Sequence, residues 1–264
     1  MIPTHTITAA LRRLFGAAFV FLATAHTLTA QPACRQALVL ALDVSGSVDA
    51  REYALQRQGL IAALTAPAVV ERMFEMPAAP IDLAVFEWSG RRSQWLVMNW
   101  VTLATPADLD RVVATLSNHE RKLQTDTATA IGSAMRAGLE LTGARGHCWK
   151  RTIDISGDGR SIQGPEPADT RAEADAQGVT VNGLVIGTDN PRGGDIRQVE
   201  LAELSAYYRS EVITGPGAFV EAALGFADFE AAMTRKLLKE MEGIAIGMLA
   251  PSEAVPGPPV KSQL

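Results

Sequence analysis

Residues 37 to 42 read Ala-Leu-Val-Leu-Ala-Leu, apolar at every position rather than at every second one. A strand of that kind has no face to offer water, so it belongs inside a sheet covered on both sides. The run leads directly into Asp43, Ser45 and Ser47, with Gly46 between the serines. A buried strand that ends in a carboxylate and two hydroxyls raises the question of what those oxygens hold.

The remainder of the chain alternates in the same manner. Asp49 with Glu52 three residues on reads as a capped helix start, and Pro67 interrupts the helix that follows. Strands are expected over 81–86 and 94–103, joined by Ser89-Gly90-Arg91-Arg92 as a hairpin. Thr105-Pro106 opens a further helix. The second half gives a helix over 127–141, a strand over 151–156, a helix over 166–177 and a strand over 179–186. A helix over 199–207 and a short edge strand over 210–214 come next, and apolar residues at helical spacing predict a last helix over 218–241. Strands alternating with helices make an α/β fold: a three-layer, doubly wound, mostly parallel sheet with one antiparallel edge strand from the hairpin. In such sheets ligands bind beyond the carboxyl ends of the strands, where the strand order reverses. Asp43, Ser45 and Ser47 stand at such an end.

Both termini read as separate from this fold. Arg12-Arg13, a short apolar run from Leu14 to Ala23 and the small residues Thr29-Ala30 have the form of a cleaved secretory signal over 1–30. The run is shorter than the ~20 residues a membrane span needs, so no stable span is expected after cleavage. An export signal of this type implies a secreted, periplasmic bacterial protein. The folded domain is expected over 34–245, followed by a proline-rich disordered tail over 246–264. A net charge of −5, with no basic run, excludes a nucleic-acid surface.

Hard divalent cations prefer oxygen ligands, and Mg²⁺ takes six of them at about 2.1 Å. Asp43, Ser45 and Ser47 supply three, with Gly46 allowing the turn. Two other strand ends carry more: Thr125-Asp126-Thr127 ahead of a helix, and Asp158-Gly159 after the fourth strand. This set of motifs, in this order, resembles the von Willebrand factor A domain and its metal-ion-dependent adhesion site. The resemblance runs from about Ala37 to Met241, and with the leader the chain is most similar to a bacterial family of secreted domains of this type. It implies a metal site of Asp43, Ser45, Ser47, Thr125 and Asp158 for Mg²⁺, or Mn²⁺ or Ca²⁺. It also implies a protein partner that offers an acidic side chain to the metal, which is a docking function and not an enzymatic one. The fourth strand departs from the family's apolar run into Thr-Asp-Gly. Here it reads Thr152-Ile153-Asp154-Ile155-Ser156-Gly157-Asp158, and a carboxylate at Asp154, mid-strand, requires a partner that the sequence does not name.

Trp88, Arg91 and Arg92, at the hairpin, are expected to form the rim around the metal, although a solvated turn accounts for them as well. His119 and His147 have no second ligand at metal spacing and read as surface residues, and Tyr207-Tyr208 as core edge. The competing function is a Mg²⁺-dependent phosphohydrolase on a similar sheet. Against it, Ser45 stands where such enzymes need a second carboxylate, and no histidine is placed as a base.

In the fold implied by the resemblance, the first and fourth strands are parallel neighbours about 4.8 Å apart. Cys34 and Cys148 precede those strands by similar distances, so a disulfide between them is expected. Two free thiols, or a lipidated Cys34, remain the alternatives.

Overall fold

The computed structural model describes residues 33–122, 125–187 and 196–242, all within one compact unit. The expected leader over 1–30 and tail over 246–264 lie outside the described residues. Among those residues no helix is long and apolar enough to cross a membrane.

The element order is β1 (Gln36–Asp43), α1 (Ala50–Thr65), α2 (Pro67–Phe74), β2 (Ile81–Trp88), β3 (Gln94–Leu103), α3 (Pro106–Asn118), α4 (Ile131–Gly143), β4 (Lys150–Gly157), α5 (Pro167–Ala176), β5 (Thr180–Ile186), α6 (Ile196–Tyr207), β6 (Val220–Ala223) and α7 (Phe229–Met241). The strands form one sheet in the order β3-β2-β1-β4-β5-β6, parallel throughout except for β3 against β2. Strand order reverses between β1 and β4.

The uniformly apolar β1 is buried on both sides, as its composition requires. Leu38, Leu40 and Leu42 join the core beneath α1, α2, α3 and α7. Val39 and Ala41 face the opposite core, beneath α4, α5 and α6. The helices therefore divide four and three over the two faces. Asp49 caps α1 as expected, accepting the N–H groups of Arg51 and Glu52, while Glu52 accepts the N–H of Asp49. That cap fixes where the 43–49 loop must end, one turn from the strand that starts it.

One expectation about the elements holds and two are corrected. Pro67 interrupts the helix as expected: α1 ends at Thr65, and Pro67 sits at the start of a second short helix, α2, where its missing N–H costs nothing. The stretch 218–241 is not one helix, because Val220–Ala223 pairs with the open edge of β5 and the helix begins only at Phe229. A free strand edge offers ladder hydrogen bonds that outweigh local helical spacing. With that edge taken by β6, residues 210–214 do not form a strand. Tyr208–Val212 instead coils as a wide π-helical turn, and only Thr214 bridges to Val181.

The disulfide is present. Cys34 and Cys148 are joined, with Cα atoms 4.5 Å apart and a sequence separation of 114. Parallel pairing of Gln36 with Lys150 and the hydrogen bond from Trp149 N–H to Cys34 O bring the two strand beginnings together.

Candidate metal centre

Asp43 is the last residue of β1, and its carboxylate is completely buried. Oδ1 accepts the backbone N–H of Ser45 at 2.8 Å, which turns the chain immediately after the strand. The Ser45 and Ser47 hydroxyls lie 3.2 Å apart, and Ser47 donates to Oδ1 of Asp158 at 2.7 Å. Four of the five residues singled out by the sequence thus form one continuous cluster across the ends of β1 and β4, at the point where strand order reverses.

The loop is held from several sides. Gln56 of α1 donates to the carbonyl of Asp43. Arg121 donates to the carbonyl of Val44 at 2.9 Å. Gly46 donates to the carbonyl of Thr127 at 2.7 Å, and a Cβ on Gly46 would stand 3.2 Å from the Thr127 hydroxyl. Thr125 and Thr127 are both exposed, and it is Thr127 that lies against Gly46 of the 43–47 loop. The hairpin braces the 125–129 loop in turn: Ser89 Oγ and Gly90 N–H both donate to the carbonyl of Asp126.

The cluster carries an electrostatic deficit. Burial, and then the nearby charge of Asp158, push the Asp43 carboxyl up to about 8. Burial likewise raises Asp158, against the lowering effect of the Ser47 hydroxyl. Oδ2 of Asp43 is a buried acceptor with no hydrogen-bond partner among the described residues. Two neighbouring carboxylates, two hydroxyls and an unsatisfied inner oxygen are a donor set of hard oxygens that suits a divalent cation of the Mg²⁺ type. Asp43, Ser45, Ser47 and Asp158 could hold one, with a hydroxyl from the 125–129 loop beside them.

The residues expected at the rim differ in their exposure. Trp88 is fully buried beside Asp43, its register partner in the sheet, and takes no part in the surface. The strand continues far enough to carry it inside. Arg91 and Arg92 are exposed, and Arg91 N–H donates to the side chain of Gln163. The neighbouring Ile162 is 76% exposed, and its N–H donates to the carbonyl of Thr129. Sequence reasoning passed over it because a single isoleucine in a polar loop has no periodicity.

His119 is corrected as well. It is not a free surface residue: its Nε2 lies 3.2 Å from Glu87 Oε2, and Tyr53 donates to the other oxygen of Glu87. His147 is exposed, as expected. Its ring, Asp82, Cys34 and Cys148 present ligand atoms within 4.8 Å of one another. Both sulfurs are tied in the disulfide and Asp82 is paired with Arg145 at 2.9 Å, so that group lacks the free thiolates a metal would take.

Only the second of the two tyrosines reaches the oxygen cluster. Tyr207 accepts the N–H of Ser161 in the loop after β4. Tyr208 is fully buried and stays protonated, its hydroxyl held well above its usual range by burial and then by the charges of Asp43 and Asp158.

Solved structures share this architecture at low identity. Proximal thread matrix protein 1 (PTMP1) from the mussel byssus superposes with a TM-score of 0.55 at 16% identity, covering 80% of this chain and 49% of that protein. The pilus adhesin SpaC from Lactobacillus rhamnosus GG gives 0.54 at 14%, covering 80% and 30%. A von Willebrand factor type A protein from Catenulispora acidiphila gives 0.51 at 15%, covering 79% and 43%. A further PTMP1 structure, with a TM-score of 0.53 at 13% identity over 79% of this chain and 46% of that one, is described as having a zinc-occupied MIDAS motif. This chain spans half or less of each of these proteins. The fold is von Willebrand factor A-like. No curated protein matches the chain. The model of one family matches residues 33–245, and the chain belongs to that family, described as protein of unknown function (DUF1194).

Proposed function

We propose that this chain is a secreted, periplasmic docking domain that binds a protein partner through a divalent cation of the Mg²⁺ class. Asp43, Ser45, Ser47, Thr125 and Asp158 would hold the cation, which supplies positive charge for an acidic side chain of the partner. The observation that carries this reading is the unsatisfied, buried oxygen of Asp43 inside a convergence of hydroxyls and a second carboxylate. A buried acceptor without a partner costs about 1–3 kcal/mol, and a cation at this place relieves both that cost and the repulsion with Asp158.

Arg91, Arg92 and Ile162 border the site with positive charge and one exposed apolar side chain. That combination suits a partner whose acidic residue is flanked by an apolar one. The zinc-occupied motif of PTMP1 and the adhesin SpaC, on the same fold, support the reading by analogy. The disulfide accords with an exported location.

Calorimetric titration of pure protein with Mg²⁺ and Mn²⁺ tests the site. Binding should be abolished or severely weakened in the Ser45→Ala/Ser47→Ala variant, with circular dichroism unchanged. Wild-type affinity in that variant removes these residues from the site. Turnover of a generic phosphoester that disappears in Asp43→Ala would replace docking with phosphohydrolysis.

A further inference from the structure

Below the oxygen cluster, three buried polar groups surround a residue that has no side chain. A Cβ placed on Gly157, the last residue of β4, would lie 2.5 Å from the Tyr208 hydroxyl, 3.0 Å from Oδ2 of Asp43 and 3.5 Å from Cζ2 of Trp88. Tyr208, Asp43 and Trp88 are all completely buried. The Tyr208 hydroxyl, Asp43 Oδ2 and the Trp88 indole N–H have no hydrogen-bond partner among the described residues. Two of these groups are donors and the third is an acceptor, so they complement one another chemically.

The sheet is shaped to admit Tyr208. Gly183 on β5 leaves room for the ring, since a Cβ there would stand 2.7 Å from Tyr208 Cδ1. Gly157 on β4 leaves room for the hydroxyl. Glycine inside a strand weakens it and often marks a close approach by another group. Here two such positions, on neighbouring strands, accommodate one side chain. The π-helical turn that starts at Tyr208 delivers the ring from the end of α6, and such turns are frequent at functional sites. Core packing alone would be met by phenylalanine and would not leave a hydroxyl facing a carboxylate.

We propose that Tyr208 is a positioning residue of the cation site: its hydroxyl donates, directly or through one bound water, to the inner oxygen of Asp43 and fixes the orientation of that carboxylate. The inference rests on the cation reading above and extends it to a residue that does not itself contact the metal. Such supporting groups orient the ligands they touch, and their loss typically weakens metal binding by about 10–100-fold.

Tyr208→Phe removes the hydroxyl and keeps the ring, and Tyr207→Phe is its control. Calorimetry with Mg²⁺ and Mn²⁺ should show affinity lowered roughly tenfold in Tyr208→Phe and little changed in Tyr207→Phe. Adding Mg²⁺ to the wild type should also give a tyrosine ultraviolet difference band, absent in Tyr208→Phe and retained in Tyr207→Phe. A purely structural role for Tyr208 would not move that band. If Tyr208→Phe does not fold, Gly157→Ala, which pushes a methyl group into the space of the hydroxyl, should lower the affinity instead. Wild-type affinity in whichever variant folds, or a difference band that survives in Tyr208→Phe, overturns the positioning role while leaving the cation site intact. A wild-type protein that takes up neither ion overturns both.

Discussion

The ammonium of Lys236, on α7, lies 2.9 Å from the carboxylate of Asp154 in the middle of β4, and both side chains are buried to within 1%. Glu240, one turn further along the helix, contacts the same ammonium at 2.8 Å and accepts a hydrogen bond from Asn182 of β5. Burial pulls the Lys236 pKa down, and the two carboxylates more than reverse that effect, so the lysine remains charged. This network is the partner that a mid-strand aspartate requires, and it locks the last helix across two strands of the sheet.

Removal of the shared cation should be severe. Lys236→Met leaves two carboxylates in a dry interior, and breaking a buried pair by deleting one partner costs about 3–5 kcal/mol. Urea unfolding followed by circular dichroism should show a loss of that size. A loss below about 1 kcal/mol would mean that water reaches the network.

The same network sets a pH dependence. Asp154 is pushed up to about 7, chiefly by burial, with Lys236 opposing and Glu240 reinforcing the shift. Its ordinary value is 3.8. Between those values the folded protein retains a proton that the unfolded chain has released. Its contribution to stability is therefore full below the lower value and lost as pH rises through the upper one. Urea midpoints at about pH 5 and about pH 8 should fall more for the wild type than for Asp154→Asn. Equal changes in the two proteins would contradict this.

The disulfide closes a loop of 114 residues between β1 and β4. In the chain-entropy model a loop of that length stabilises by about 4–5 kcal/mol. The Cys34→Ser/Cys148→Ser variant should lose stability on that scale while keeping the native circular dichroism spectrum. An unchanged unfolding midpoint would show that the strand pairing alone restrains this end of the sheet.

Arg91 and Ile162 should affect partner binding in different ways. An exposed charge acts mainly on encounter, and a desolvated apolar contact acts mainly on residence. With a partner captured from the cell envelope in Mg²⁺, Arg91→Glu should slow association several-fold, and Ile162→Ser should speed dissociation. Surface plasmon resonance separates the two rates. Unchanged rates for both variants would place the interface elsewhere on the molecule.

Several features were legible because they are local. The apolar run of β1, the capping pair Asp49 and Glu52, and Thr105-Pro106 ahead of α3 all act within a few residues. The motif Asp43-x-Ser45-x-Ser47 was legible for the same reason: a strand end and a tight turn bring near neighbours together. Even the cysteine pairing could be read once the order of strands was assumed, since each cysteine immediately precedes its strand.

What only the tertiary structure decided depends on residues far apart in the chain. Trp88 looks like a rim residue from its place beside a turn, yet the register of β2 against β1 carries it into the core. Residues 218–228 have helical spacing, but the unfilled edge of β5 claims Val220–Ala223 as a strand. Asp154 finds Lys236 across 82 residues of chain, and Tyr208 and Asp43, 165 residues apart, come to border the same space at Gly157. Periodicity and capping report forces that act over one or two turns. The pairing of buried charges and orphaned hydroxyls is set by which elements share a face of the sheet, and that is determined only when the layers pack.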